Sequence, residues 1–169
     1  MTTGQQGGGT TNEPLRCGCG ASTNPQLEVA LREAIAAARG ELGGGQADLG
    51  VVFVSAAHGG SIRPALELAA DLVPARHVIG TTAEGVLAGD REYEAGPAVV
   101  VWLARLPGAW LEPVSLEYMQ TPEGGSFAGW PERLSGEWPA NAALVLLADP
   151  FSFPVDAFVK RMEADHPGV

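Results

Sequence analysis

Three short stretches gather the chemistry that this sequence offers. Ser55-Ala56-Ala57-His58-Gly59-Gly60 pairs a hydroxyl with an imidazole. Gly80-Thr81-Thr82-Ala83-Glu84-Gly85 places two hydroxyls and one carboxylate among small residues, and Asp149-Pro150-Phe151-Ser152 sets a carboxylate before a proline. Each stretch comes after an apolar run, and buried strands that end in glycine and hydroxyl residues are where α/β proteins hold ligands. The chemistry on offer is polar recognition. Glu84 and Asp149 suit an ammonium group. The loops at Ser55 and Asp149 precede helical patterns, whose free N–H groups favour an anion such as a carboxylate. Ser55, His58, Gly80, Thr81, Thr82, Glu84 and Asp149 are therefore the candidate ligand-binding residues, for an amino acid or another small zwitterion.

Every one of these residues has a structural alternative. Ser55 and Ser61 can serve to cap or satisfy backbone, and His58 can be a solvated loop residue. Thr81-Thr82-Ala83-Glu84 fits a capping box, although Gly85 and Gly89 disfavour a helix after it. Asp149 can shape a turn, and His77 suits a structural place at a strand start. Enzyme signatures are missing: there is no P-loop lysine, no dinucleotide glycine spacing and no Gly-x-Ser-x-Gly elbow. Ser55 and His58 share a loop, but that spacing does not establish a nucleophile and its base. The reading is a non-catalytic protein with no metal site.

Composition narrows the partners. Ten Lys and Arg face 20 Asp and Glu, for a formal net charge of −10. Lys160 is the single lysine. Clustered cations are what phosphate backbones and anionic membranes require, so neither nucleic acid nor membrane is an expected partner. A hydrophobic content of 46% with few charges indicates a folded chain. No apolar run approaches the roughly 20 residues that span a bilayer, and Met1 to Thr11 lacks the basic start of a secretory signal. Cys17 and Cys19 read as two free thiols, which points to the cytoplasm.

The elements that must position the loops emerge from periodicity. Residues 1–21 read as a flexible tail rich in Gly, Thr and Gln, and the folded domain is expected over residues 24–169. Asn24-Pro25 opens a helix with a stripe of Leu27, Ala30, Leu31, Ala34, Ile35 and Ala38, closed by Gly40 and the Gly43–Gly45 run. Leu49 to Val54 is a strand apolar on both faces. A helix from about Ser61 to Val73 and a strand at His77-Val78-Ile79 complete a βαβ unit with parallel strands. Arg91 to Glu94, Ala98 to Leu106 and Trp110 to Tyr118 read as strands of an antiparallel meander. Met119 to Ala140 is a long loop whose Trp130 and Trp138 are expected to pack back on the body. Ala142 to Ala148 is a last strand, before a helix of about Val155 to Glu163 with Val155, Phe158, Val159 and Met162 inward. The fold class is α/β with α+β character: a βαβ unit plus a meander in a mixed sheet flanked by helices. The chain stops at Pro167-Gly168-Val169, where the pattern calls for another strand, so a cut through a larger protein is expected.

Four ordered blocks carry a family resemblance. They are Asp48 to Ser55, His77 to Val86, Glu92 to Val99 and Leu146 to Pro154. Together they resemble the N-terminal half of a FIST domain, an intracellular sensory domain found with bacterial signalling modules. The resemblance implies small-ligand recognition, amino acids among the ligands, and signal transduction. It also implies partners: a FIST C-terminal half and a signalling output module, in the same protein or a neighbour. Some members bind haem and sense nitric oxide, so a haem-binding sensor is one alternative, although His58, His77 and His166 match no family ligand. A protein-interaction module without a ligand is the other. Where the family often has a cysteine after the glycine of its Gly-Cys-Ser/Thr-Ala-Glu block, this chain has Thr81, which removes a thiol from that turn.

Overall fold

The computed structural model describes residues 14–59, 62–122 and 124–168, and these fall into two compact units that meet in sequence at Leu111 and Glu112. The first unit runs β1 (Arg16–Ser22), α1 (Leu27–Leu42), β2 (Ala47–Ser55), a 3-10 turn at Ala56–His58 and α2 (Ile62–Leu72). It continues with β3 (Ala75–Ala83), β4 (Val86–Ala88), β5 (Arg91–Tyr93) and β6 (Val99–Arg105). Four strands make one sheet in the order β1-β6-β2-β3. β2 and β3 are parallel, and β6 is antiparallel to both β1 and β2. The predicted mixed α/β fold is present, βαβ unit included.

The stripe on α1 is buried at Ala30, Leu31, Ala34, Ile35, Ala38 and Leu42. It packs with Val52, Val54, Val99, Val101 and Leu103 of the sheet and with Ala69 and Val73 at α2. Gly43, at φ 83°, ends the helix in the left-handed conformation that favours glycine, and its N–H group and that of Gly44 return to the carbonyls of Gly40 and Arg39. Asn24 is not the N-cap. Gln26 holds that position, and the Asn24 side chain accepts the Gln26 N–H at 3.0 Å in the approach turn.

The tail reading fails for Arg16 to Ala21, which lie in β1; residues 1–13 of that tail lie outside the described residues. Glycine there has a packing cause. A Cβ on Gly18 would stand 2.2 Å from the Ala38 carbonyl oxygen, and one on Gly20 would stand 2.1 Å from that of Ala34. The Cys-Gly-Cys-Gly alternation thus presents bare backbone to α1 and both thiols to the other side of the sheet. Composition alone reads such glycines as mobility.

The meander is also drawn differently. β4 and β5 form a separate hairpin, and β6 is inserted between β1 and β2. Trp110 to Leu116 has no regular structure, and the next strand is β7 (Glu117–Thr121), paired with β8 (Gly124–Ala128). These hairpin strands open the second unit, which continues through a 3-10 turn at Glu132–Leu134 to α3 (Val155–Asp165). Its core is aromatic. Phe153, Phe158 and Met162 are buried with Phe127, Trp130 and Trp138 packed around them, and Trp130 stacks on Phe158 with ring centres 6.0 Å apart. Trp138 donates its indole N–H to the Leu134 carbonyl at 2.9 Å. Val159 is 45% exposed rather than inward. Ala142 to Ala148 is irregular, with Leu144 and Val145 exposed, because no ladder partner is present for it among the described residues. No helix of the described residues is long and apolar enough to cross a membrane.

Candidate functional site

Because β1 and β2 are both antiparallel to β6, and β2 is parallel to β3, the C-terminal ends of β1, β2 and β3 share one edge of the sheet. That edge was the expected place for a ligand. Its occupants differ from the expected ones.

Ser55 is 1% exposed. Its hydroxyl accepts the Ala98 N–H at 2.8 Å and donates to the Gly96 carbonyl at 3.1 Å. The side chain fastens the turn before β6, with its proton committed to Gly96 and its oxygen buried. Gly80, Thr81 and Thr82 lie inside β3, opposite Val52, Phe53 and Val54 of β2, rather than in a loop beyond it. A Cβ on Gly80 would meet the Val52 carbonyl oxygen at 2.4 Å, so its glycine is needed for strand approach. Thr81 donates to the Thr82 carbonyl at 3.2 Å. Glu84 is exposed in the bend after β3. Asp149 belongs to the second unit. Its carboxylate accepts the Phe151 N–H at 3.1 Å and the Ser152 hydroxyl at 2.7 Å. Those bonds hold its pKa below the ordinary range and assign it to the turn. Gly60 and Ser61 lie outside the described residues.

His58 ends the 3-10 turn after β2, and both of its ring nitrogens are buried without a hydrogen-bond partner. Burial pushes its pKa below the ordinary histidine range, with the backbone of Pro25 acting weakly the other way. Ring nitrogens shut away from solvent without a partner are costly to keep, although the residue as a whole is only half-buried.

The concave feature of this edge is a cleft of about 400 Å³ lined by Ala21, Ser22, Thr23, Asn24, Glu33, Arg91 and Tyr93. Sequence reading missed it. The end of β1 supplies Ser22, α1 supplies Glu33, and the β4–β5 hairpin supplies Arg91 and Tyr93. Ser22 is 8% exposed. It donates to a Glu33 carboxylate oxygen at 2.5 Å while accepting the Asn24 N–H at 3.1 Å. The carboxylate is thereby held in place with one oxygen facing elsewhere. The Arg91 guanidinium lies 5.4 Å from the centre of the Tyr93 ring, a cation–π placement that aims it without neutralising it. No ion pair joins Glu33 to Arg91 among the described residues. An acid and a base that line one cleft without meeting leave room for a molecule bearing both opposite charges. No group of three or more potential metal ligands occurs among the described residues.

A second, wider cleft of about 1090 Å³ lies within the second unit, walled by Tyr118, Phe127, Trp130, Phe158 and Met162. His166 also lines this cleft and is stacked on Trp138, with ring centres 4.3 Å apart.

Residues 48–169 match the family model described as the FIST N domain. The chain belongs to the FIST N family. That family is regarded as one of sensory domains, the class expected from the sequence. β1 and α1 precede the matched residues, and the Glu33 side of the charged cleft therefore comes from outside the match. Among similar chains is an uncharacterized protein of Mycobacterium tuberculosis strain H37Rv. It is 36% identical over 154 residues, covering 91% of this chain and 39% of that protein. An uncharacterized protein of Mycobacterium bovis is 32% identical over 154 residues, covering 91% of this chain and 38% of the relative. The FIST N chain thus spans about two-fifths of the length of the curated relatives it matches.

Proposed function

We propose that this FIST N chain is a non-catalytic, intracellular sensory domain whose ligand is a small zwitterion, an amino acid, held in the cleft between the end of β1 and the β4–β5 hairpin. The observation that carries the reading is the presence of Glu33 and Arg91, not paired with each other, in one cleft. Arg91 takes the carboxylate, and Glu33, positioned by Ser22, takes the ammonium. Charge-assisted contacts of this kind contribute about 1.5–3 kcal/mol each. Thr23 and Asn24 give the walls polar groups that favour short or polar side chains. The ligand would bridge α1 to the hairpin, two elements far apart in sequence, and so pass occupancy to a separate output module.

Haem does not fit this cleft. Its walls are polar and charged, and no histidine lines it. The interaction-module alternative is favoured by an exposed 119–140 loop, and Trp130 and Trp138 of that loop are half-buried around Phe158.

Isothermal titration with a panel of amino acids, and with their deaminated and decarboxylated analogues, tests the reading. Binding of at least one amino acid and loss of binding on removing either charged group are expected. A panel in which no zwitterion binds, or in which the analogues bind equally, overturns it.

A further inference from the structure

We propose that the side of the first unit's sheet opposite α1 and α2 is an interior interface. In a longer form of the protein it is packed by apolar β-structure that extends the β4–β5 layer. The strands themselves carry the argument. β2 and β6 are apolar at nearly every position, as strands are when both faces are covered. The helices cover one face only. On the other face the ladder places Cys19, Trp102, Val51 and Ile79 in one row across four strands.

That row carries no charge, in a chain with 20 acidic residues. Trp102, Val51 and Ile79 are half-buried and pack in neither of the unit's two buried clusters. The next row toward the C-terminal edge, through Val100 and Phe53, is already covered by Val86, Ala88 and Tyr93 of the hairpin. Within the first unit, a second layer of β-structure is thus begun over this face at its C-terminal edge. Two sheets stacked about 10 Å apart are the ordinary way to finish it. The chain accounts for 39% of a mycobacterial relative's length, so that relative has the polypeptide to supply the missing layer.

Cys17 and Cys19 lie on this same face and are free thiols, which gives the test a direct readout. The unmatched portion of the mycobacterial relative is produced separately and added to the 169-residue chain, with the Cys17 and Cys19 labelling rates measured by peptide mass spectrometry. A one-to-one complex is expected, with labelling slowed at least tenfold and the Trp102 emission shifted to the blue. Ile79→Lys should abolish the complex while leaving the chain's own urea midpoint near that of the parent.

If the added portion is insoluble alone, fusing the two in one polypeptide gives the same thiol readout. Unchanged labelling in the mixture or the fusion overturns the proposal. So does a homodimer of the 169-residue chain that Ile79→Lys converts to monomer, since the occupant would then be a second copy.

Discussion

Gly20 lies so close beneath α1 that a β-carbon there would stand 2.1 Å from the carbonyl oxygen of Ala34. Neither partner can yield, because one is strand backbone and the other is helix backbone. The seat of α1, and with it the position of Glu33 over the end of β1, depends on this contact.

Gly20→Ala is expected to destabilise the first unit by at least the ~1–3 kcal/mol typical of core overpacking, because backbone rather than a flexible side chain is struck. Urea unfolding monitored by circular dichroism measures it. A midpoint unchanged from the parent would mean that α1 is not seated on β1 in this way.

Glu33→Gln and Arg91→Gln separate recognition from folding. Both side chains lie at exposed positions, so each variant should keep the parent's thermal midpoint within a degree or two. Loss of one charge-assisted contact should weaken amino-acid binding about tenfold or more. Glu33→Gln should spare ligands without an ammonium, and Arg91→Gln those without a carboxylate. Equal losses across all analogues would count against the assigned roles.

Ser55→Ala addresses a residue that sequence reading placed in the site. Its hydroxyl satisfies the buried Ala98 N–H, and leaving that donor unpaired costs about 1–3 kcal/mol. Stability should fall by that amount while the affinity of any bound ligand stays near the parent value. Calorimetry and denaturation on one sample read both.

The idle imidazole of His58 makes stability depend on pH. In the unfolded chain it charges below about its ordinary pKa of 6.5, and in the folded chain burial lowers its pKa. The unfolded state therefore binds more protons as the pH falls, so this contribution is complete above pH 6.5 and is lost below it. His58→Leu should flatten the change in urea midpoint between pH 8 and pH 5. An undiminished slope in that variant would assign the dependence to other groups.

Phe158→Ala should cost about 3–5 kcal/mol in the second unit, since Phe158 is 1% exposed and touches the rings of Phe127, Trp130 and Phe153. Near-ultraviolet circular dichroism, which reports on packed Trp130 and Trp138, should lose intensity. A retained spectrum would show that α3 does not order these rings.

What the sequence by itself determined was local or periodic. The α1 stripe, the β2-α2-β3 crossover and the family blocks from Asp48 onward all rest on spacings within one element or between neighbours. Periodicity specifies those because each residue's burial is decided by its own turn or pleat. Tertiary structure decided the rest. Whether Gly18 and Gly20 are mobile or are a helix seat depends on what lies above them, and α1 is there only after the chain has folded back. Gly80 to Ala83 left the loop for the strand because β2 extends to Ser55 and offers a ladder partner at each step. Ala142 to Ala148, with the same apolar character, has no such partner among the described residues and stays irregular. The candidate site differs from the expected one for the same reason: Glu33 and Arg91 line one cleft because a helix and a hairpin distant in sequence meet at the end of β1, a juxtaposition that no spacing along the chain records.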